Sequence, residues 1–170
     1  LLGAGFVMSL TKRPIVKNIG QAILGLALVF VGLIYIKSSV PEIDTVPQMA
    51  ASIAGISSHG IASALIFMLI GVVITFVLQS SSVTVVLTMV LVYFGWISFP
   101  MAAAMVLGEN IGTTIGANLV ASRAGVQASR AALAHFIFNV LGAAFVLIFF
   151  NMFIKINLWL VSLFGLDAQM

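Results

Sequence analysis

The sequence predicts an all-α fold that crosses a membrane several times. Three observations carry that prediction. Hydrophobic residues make up 62% of the 170 residues and charged residues 6%, against about a quarter charged in an average soluble domain. The mean hydropathy is +1.28. A soluble chain of this length could not cover so much apolar surface, whereas a bilayer solvates it. The stretches 19–36, 61–93, 99–121 and 131–150 approach or exceed the roughly 20 apolar residues that a transmembrane helix needs. No stretch alternates apolar and polar residues over the roughly 10 positions of a barrel strand. Inside a bilayer only helices and closed barrels satisfy their own backbone groups, so helices remain.

Three regions follow. Residues 1–18 read as the tail of a preceding segment and a cytoplasmic basic turn. Residues 19–150 form the membrane region. Residues 151–170, with Lys155, Asn157 and Trp159, read as an interfacial or linker segment. The chain begins at Leu1 with no charged leader, so a fragment is expected rather than a complete protein with a signal peptide. There is no cysteine, which excludes disulfides and thiolate metal sites. A net charge of +3 is no nucleic-acid signature.

The basic residues report orientation instead. Lys12, Arg13 and Lys17 form one basic loop, and Arg123 with Arg130 another. The connection 37–60 sets Lys37 against Glu42 and Asp44. The positive-inside rule places 11–18 and 122–130 in the cytoplasm and 37–60 outside. The stretch 61–93 then makes either two full passes or one re-entrant hairpin; charge parity admits both. Gly95-Trp96-Ile97-Ser98 reads as an interfacial turn, where Trp is favoured.

Two polar segments interrupt the apolar runs. The first is Gln79-Ser80-Ser81-Ser82, with Thr75 and Thr84 nearby. At the tip of a re-entrant hairpin these residues would face a cavity, the one place where non-helical backbone is tolerated at membrane depth. A helix starting near Ser81 would aim its free N–H groups and positive dipole end at the tip. Such a cradle suits an oxyanion such as phosphate. The alternative is that the hydroxyls only pack helices and bond to carbonyls one turn back. The second segment is Gly108-Glu109-Asn110-Ile111-Gly112-Thr113-Thr114. Its two glycines predict an unwound, broken helix. Free carbonyls with the Asn110 amide and Thr113 and Thr114 hydroxyls would offer hard oxygen ligands for sodium. Glu109 is the one acidic residue inside an apolar segment, and an intramembrane carboxyl marks an ion or proton path. The alternative is a surface loop with Glu109 in water. His135 and Asn139 share a helix face and read as helix-packing residues. His59 reads as solvated. No general base is placed beside Ser80–Ser82, so a serine nucleophile is not expected, nor any enzyme activity.

These strings carry a resemblance. Gln79-Ser80-Ser81-Ser82 resembles the QSSS signature of the type II sodium/phosphate cotransporter family. The segment from Gly108 to Thr114 resembles that family's G-x-N-I-G-T-[TS] element. Arg130-Ala131-Ala132-Leu133-Ala134-His135-Phe136 with Phe138-Asn139 is also similar. The resemblance covers about half the chain. It departs at Glu109, where the family's usual element has a small residue.

The resemblance implies half of an inverted-repeat transporter: one QSSS repeat, with 61–93 as the re-entrant hairpin. It implies phosphate at Gln79, Ser80, Ser81 and Ser82, and sodium near Glu109, Asn110, Thr113 and Thr114. Sodium is the coupling ion, and no other cofactor is expected. The expected partners are phosphate, sodium, lipid and the other repeat, with a homodimer as a further possibility and no nucleic acid. The location is the plasma or inner membrane. Sodium-coupled symport is the expected activity; export, another oxyanion, or a subunit that senses phosphate without moving it are the alternatives.

Overall fold

The computed structural model describes residues 1–41 and 43–165. Glu42, used above in the charge reading, lies outside the described residues, as does the end of the interfacial segment, 166–170. Among the described residues there are helices and no strand, as the composition predicts. The chain divides into two units.

The first unit, Leu1–Pro41, contains α1 (Leu2–Ser9) and α2 (Pro14–Ser39). Proline has no N–H to lose at the first helical position, so Pro14 opens α2. The basic turn is thus shorter than 11–18, and Lys17 already lies within α2. The two helices meet backbone to backbone. A Cβ on Gly5 would sit 2.7 Å from the Leu24 nitrogen, and one on Gly20 2.5 Å from the Ser9 nitrogen. Small residues that allow such approach are how membrane helices pair.

The second unit begins with a 3₁₀ turn (Ile43–Thr45) and α3 (Pro47–Ser57), inside what the sequence suggests is a polar connection. Then come α4 (Ile61–Leu78), α5 (Ser81–Tyr93), α6 (Phe99–Ala121), α7 (Val126–Ile148) and α8 (Phe150–Leu163). Helix α8 occupies most of the expected interfacial segment. Helix α6 is the core element, with α4, α5 and α7 packed on it. Its buried positions include Met101, Met105, Gly108, Glu109, Gly112 and Thr114.

The expected break in α6 is absent. The helix runs without interruption from Phe99 to Ala121, so no carbonyls are freed at 108–114. The glycines serve a different purpose. A Cβ on Gly108 would overlap the Met68 carbonyl oxygen, and one on Gly71 the Met105 carbonyl oxygen. A Cβ on Gly112 would lie 2.6 Å from the Val72 carbonyl. Gly71, Gly108 and Gly112 therefore let α4 and α6 touch along their backbones. Packing against a neighbour outweighs glycine's low helix propensity of about 1 kcal/mol.

Helix α7 is tied to α6 by polar bonds that the sequence reading did not single out. Asn118 Nδ2 donates to the Ala132 carbonyl at 3.0 Å and to the Thr114 carbonyl at 2.8 Å. Ser129 Oγ donates to the Ala121 carbonyl at 2.9 Å. Asn118→Ala is expected to lower stability in detergent by about 0.5–1.5 kcal/mol, the net value of such a bond. An unchanged unfolding midpoint would show that the tie contributes nothing.

Among the described residues, three helices are long and apolar enough to cross a membrane: Pro14–Ser39, Ile61–Leu78 and Val126–Ile148. Helix α5 has 13 residues, short of the roughly 20 that span a bilayer. On α7 the side chains of Phe138, Leu141, Phe145 and Ile148 are exposed, as a lipid-facing surface requires. The expected turn at 95–98 is present. Trp96 is only 5% exposed, so it packs inward. Gly95, at φ 74°, reverses the chain there, and the Trp96 N–H bonds the Leu91 carbonyl at 2.9 Å. This six-to-one closure ends α5 in the manner of a Schellman turn.

Candidate functional site: a hairpin tip and a buried carboxyl

The junction between α4 and α5 is non-helical, as the polar tetrapeptide predicts. Gln79 closes α4 in the left-handed region, at φ 52° and ψ 27°, and its N–H bonds the Thr75 carbonyl at 2.8 Å. Gln79 is the one non-glycine residue with positive φ among the described residues. That conformation costs a residue with a Cβ about 1–2 kcal/mol, and such strain concentrates at functional sites.

Ser80 is extended, at φ −145° and ψ 101°, and makes no side-chain cap. Its carbonyl instead accepts from the Thr84 N–H at 3.1 Å and the Thr84 hydroxyl at 2.9 Å. The first-turn N–H groups of α5, from Ser81 onward, have no partner within the helix. Ser82 and Gln79 are exposed, and Ser80 and Ser81 half-buried. One short tip thus gathers an amide, three hydroxyls and the positive end of a helix dipole. That set favours an anion.

A cavity of about 220 Å³ lies beside the tip, lined by Thr75, Gln79, Gly112, Thr113 and Gly116 among others. Thr75 is fully buried and its hydroxyl oxygen has no partner. A buried hydroxyl without a partner costs about 1–3 kcal/mol, so it needs an explanation. It stands near the carbonyl end of α4, where the dipole favours a cation. A larger cavity of about 680 Å³ between α5, α6 and α8 is lined mostly by apolar side chains such as Met89, Phe99 and Phe153, a poor match for an oxyanion.

Glu109 is 1% exposed, which excludes the surface-loop alternative. Its Oε1 accepts from the Thr88 hydroxyl at 2.6 Å, and its Oε2 has no partner. No Lys, Arg or His occurs between 61 and 121, so α4, α5 and α6 hold no basic group to pair with it. A carboxyl buried without a basic partner is either neutralised by a proton or paired with a cation.

The other sodium candidates are dispersed. Glu109 and Thr113 share one face of α6, and Asn110 and Thr114 another. Asn110 is exposed, and its Nδ2 donates to the Val106 carbonyl at 3.1 Å. Thr113 donates to the Glu109 carbonyl at 2.9 Å and faces the smaller cavity beside Gln79. Thr114 is buried and donates to the Ile111 carbonyl at 2.6 Å. Asn139 Nδ2 donates to the His135 carbonyl at 2.9 Å. The residues that sequence reasoning missed are Thr75, noted only as a neighbour, and Thr88. For Thr88 the available signal was a second hydroxyl, Thr84, one helical turn earlier; Thr75 has no hydroxyl at that spacing.

A polar tip and an unpaired carboxyl inside an apolar helical bundle are the parts of a membrane transport protein. The chain belongs to the Na+/Pi-cotransporter family, which it matches over residues 48–168. This is a family of transporters and not of enzymes, and the chain is a multi-pass integral membrane protein. It is 36% identical to the uncharacterized protein YqeW of Bacillus subtilis (strain 168), over 88% of this chain and 47% of that protein. It is 31% identical to YjbB of Escherichia coli (strain K12), a candidate inorganic phosphate export protein, over 83% of this chain and 25% of YjbB. A shorter stretch, 44% of this chain and 12% of the relative, is 43% identical to the sodium-dependent phosphate transport protein 2A of Oryctolagus cuniculus. The chain therefore spans between a quarter and a half of the length of the first two relatives. No solved structure matches it.

Proposed function

We propose that this chain is one half of a sodium-coupled phosphate transporter. Phosphate is held at the tip by Ser80, Ser81, Ser82 and Gln79, with the free N–H groups of α5. The observation that carries this reading is the helix interruption at Gln79–Ser80, which leaves those donors uncapped. Sodium binds through Glu109 and Thr113, with Asn110 and Thr114 nearby. The unpaired Oε2 of Glu109 supports a cation there.

The tip carries no basic side chain, so a bound cation supplies the charge that makes a phosphate dianion acceptable. That gives a physical reason for coupling: each ion lowers the electrostatic cost of the other. The hairpin is re-entrant, since α5 is too short to span. A second, inverted repeat encloses the site from the other side, and the two halves rock to alternate access.

Phosphate uptake into vesicles containing the native protein tests this. An inward sodium gradient is expected to drive uptake, and a potassium gradient is not. Equal uptake under both gradients would remove the coupling. The name of the Escherichia coli relative favours a second reading, in which net flux is outward. Efflux from phosphate-loaded vesicles without uptake under any sodium gradient would favour it.

A further inference from the structure

We propose that Thr88 is a positioning residue that fixes the Glu109 carboxyl and thereby ties the second arm of the hairpin to the cation site. The proposal rests on the reading of Glu109 as a sodium ligand.

The geometry is specific. Ser81, Thr84 and Thr88 follow one another at helical spacing along one face of α5. Thr84 and Thr88 are buried, at 0% and 2% exposure, so this face is turned inward. Thr84 uses its hydroxyl on the Ser80 carbonyl. Thr88 does not bond back to its own helix. It reaches across 21 positions of sequence to Glu109 Oε1, at 2.6 Å. That is a short, direct hydroxyl–carboxyl hydrogen bond, at the close end of the O–H···O range of about 2.5–3.0 Å. Glu109 is held by one oxygen while the other has no partner.

The consequence is mechanical. A glutamate side chain has three rotatable torsions, and binding an ion freezes them. A carboxyl already anchored through Oε1 loses less freedom when Oε2 takes a cation. The same bond makes α5 sensitive to that event. The N-terminal end of α5 is the phosphate cradle, about two turns from Thr88 at 3.6 residues per turn. Once sodium saturates the site the cradle is set with or without this bond, so the bond acts on how readily sodium binds. A valine at 88 would fill the same volume and lose only this bond.

Sodium activation of phosphate uptake by the native protein in vesicles tests the tie. Thr88→Val is expected to raise the sodium half-saturation concentration by about tenfold, about 1.4 kcal/mol. The phosphate half-saturation, measured at saturating sodium, should stay within about twofold. Thr88→Ser, which keeps the hydroxyl, should restore sodium activation to within about twofold of wild type. A merely structural threonine would move both half-saturations together. If Thr88→Val fails to insert, Thr88→Ala gives the same readout. A sodium activation curve unchanged by loss of the hydroxyl overturns the tie, and so does a serine variant shifted as far as the valine one. Glu109→Gln separates the underlying reading. If it leaves sodium activation intact, Glu109 is not the ligand. If it abolishes activation while Thr88→Val does not shift it, the tie alone fails.

Discussion

Replacing Ser81 and Ser82 together by alanine is expected to raise the phosphate half-saturation of transport by about tenfold to a hundredfold. Each hydroxyl gives one hydrogen bond of net value about 0.5–1.5 kcal/mol, so the pair gives about 1–3 kcal/mol, with 1.4 kcal/mol per factor of ten. The range is wide because the N–H groups of α5 remain and hold part of the affinity. Folding should be little affected. Neither serine side chain bonds to another helix, and alanine is a better helix former at both positions. Normal membrane insertion with weakened phosphate activation is therefore the expected pattern. Wild-type transport by the double variant would remove the tip from phosphate binding and leave α5's N-terminus as packing alone.

The second large effect concerns Gly108, and its sign separates two accounts of the same residue. If Gly108 served to unwind α6, alanine there would favour the helix by about 1 kcal/mol. The structure instead puts a Cβ at 108 into the Met68 carbonyl. A backbone atom cannot turn aside as a side-chain tip can, so α4 and α6 must separate. Overpacking of this kind costs about 1–3 kcal/mol and occasionally more. Gly108→Ala is expected to lower the unfolding midpoint in detergent. Gly142→Ala on α7, where nothing lies within 4 Å, is the control and should leave it unchanged or raise it. A stabilised Gly108→Ala protein would restore the broken-helix account.

These two sites also show what a sequence can disclose. The hairpin junction was legible because Gln79-Ser80-Ser81-Ser82 is polar where its surroundings are apolar. Polarity at membrane depth has few explanations, and a turn facing a cavity is one. The helical fold was legible from hydropathy for the same reason. Gly108 and Gly112 were not legible, because glycine answers two opposite needs. It unwinds a helix, and it lets a second backbone come close. Only the partner decides between them, and Met68 and Val72 lie about 40 residues earlier in the chain. Glu109 was legible as an oddity, a carboxyl in an apolar run. Its bond to Thr88 was not, since the pairing depends on how α5 lies against α6. Asn118 illustrates the same limit: its reach to Ala132 is a matter of packing and not of pattern.

The central claim is that phosphate sits at the N-terminal end of α5 and that sodium is needed to hold it there. The chain has no cysteine, so Val83→Cys, at an exposed position beside the serines, places a single thiol in these residues. Its alkylation rate in membranes of the native protein reads occupancy of the tip. Sodium and phosphate together are expected to slow alkylation by about tenfold, while phosphate without sodium leaves the rate near its starting value. Equal rates with and without phosphate in the presence of sodium would contradict the claim.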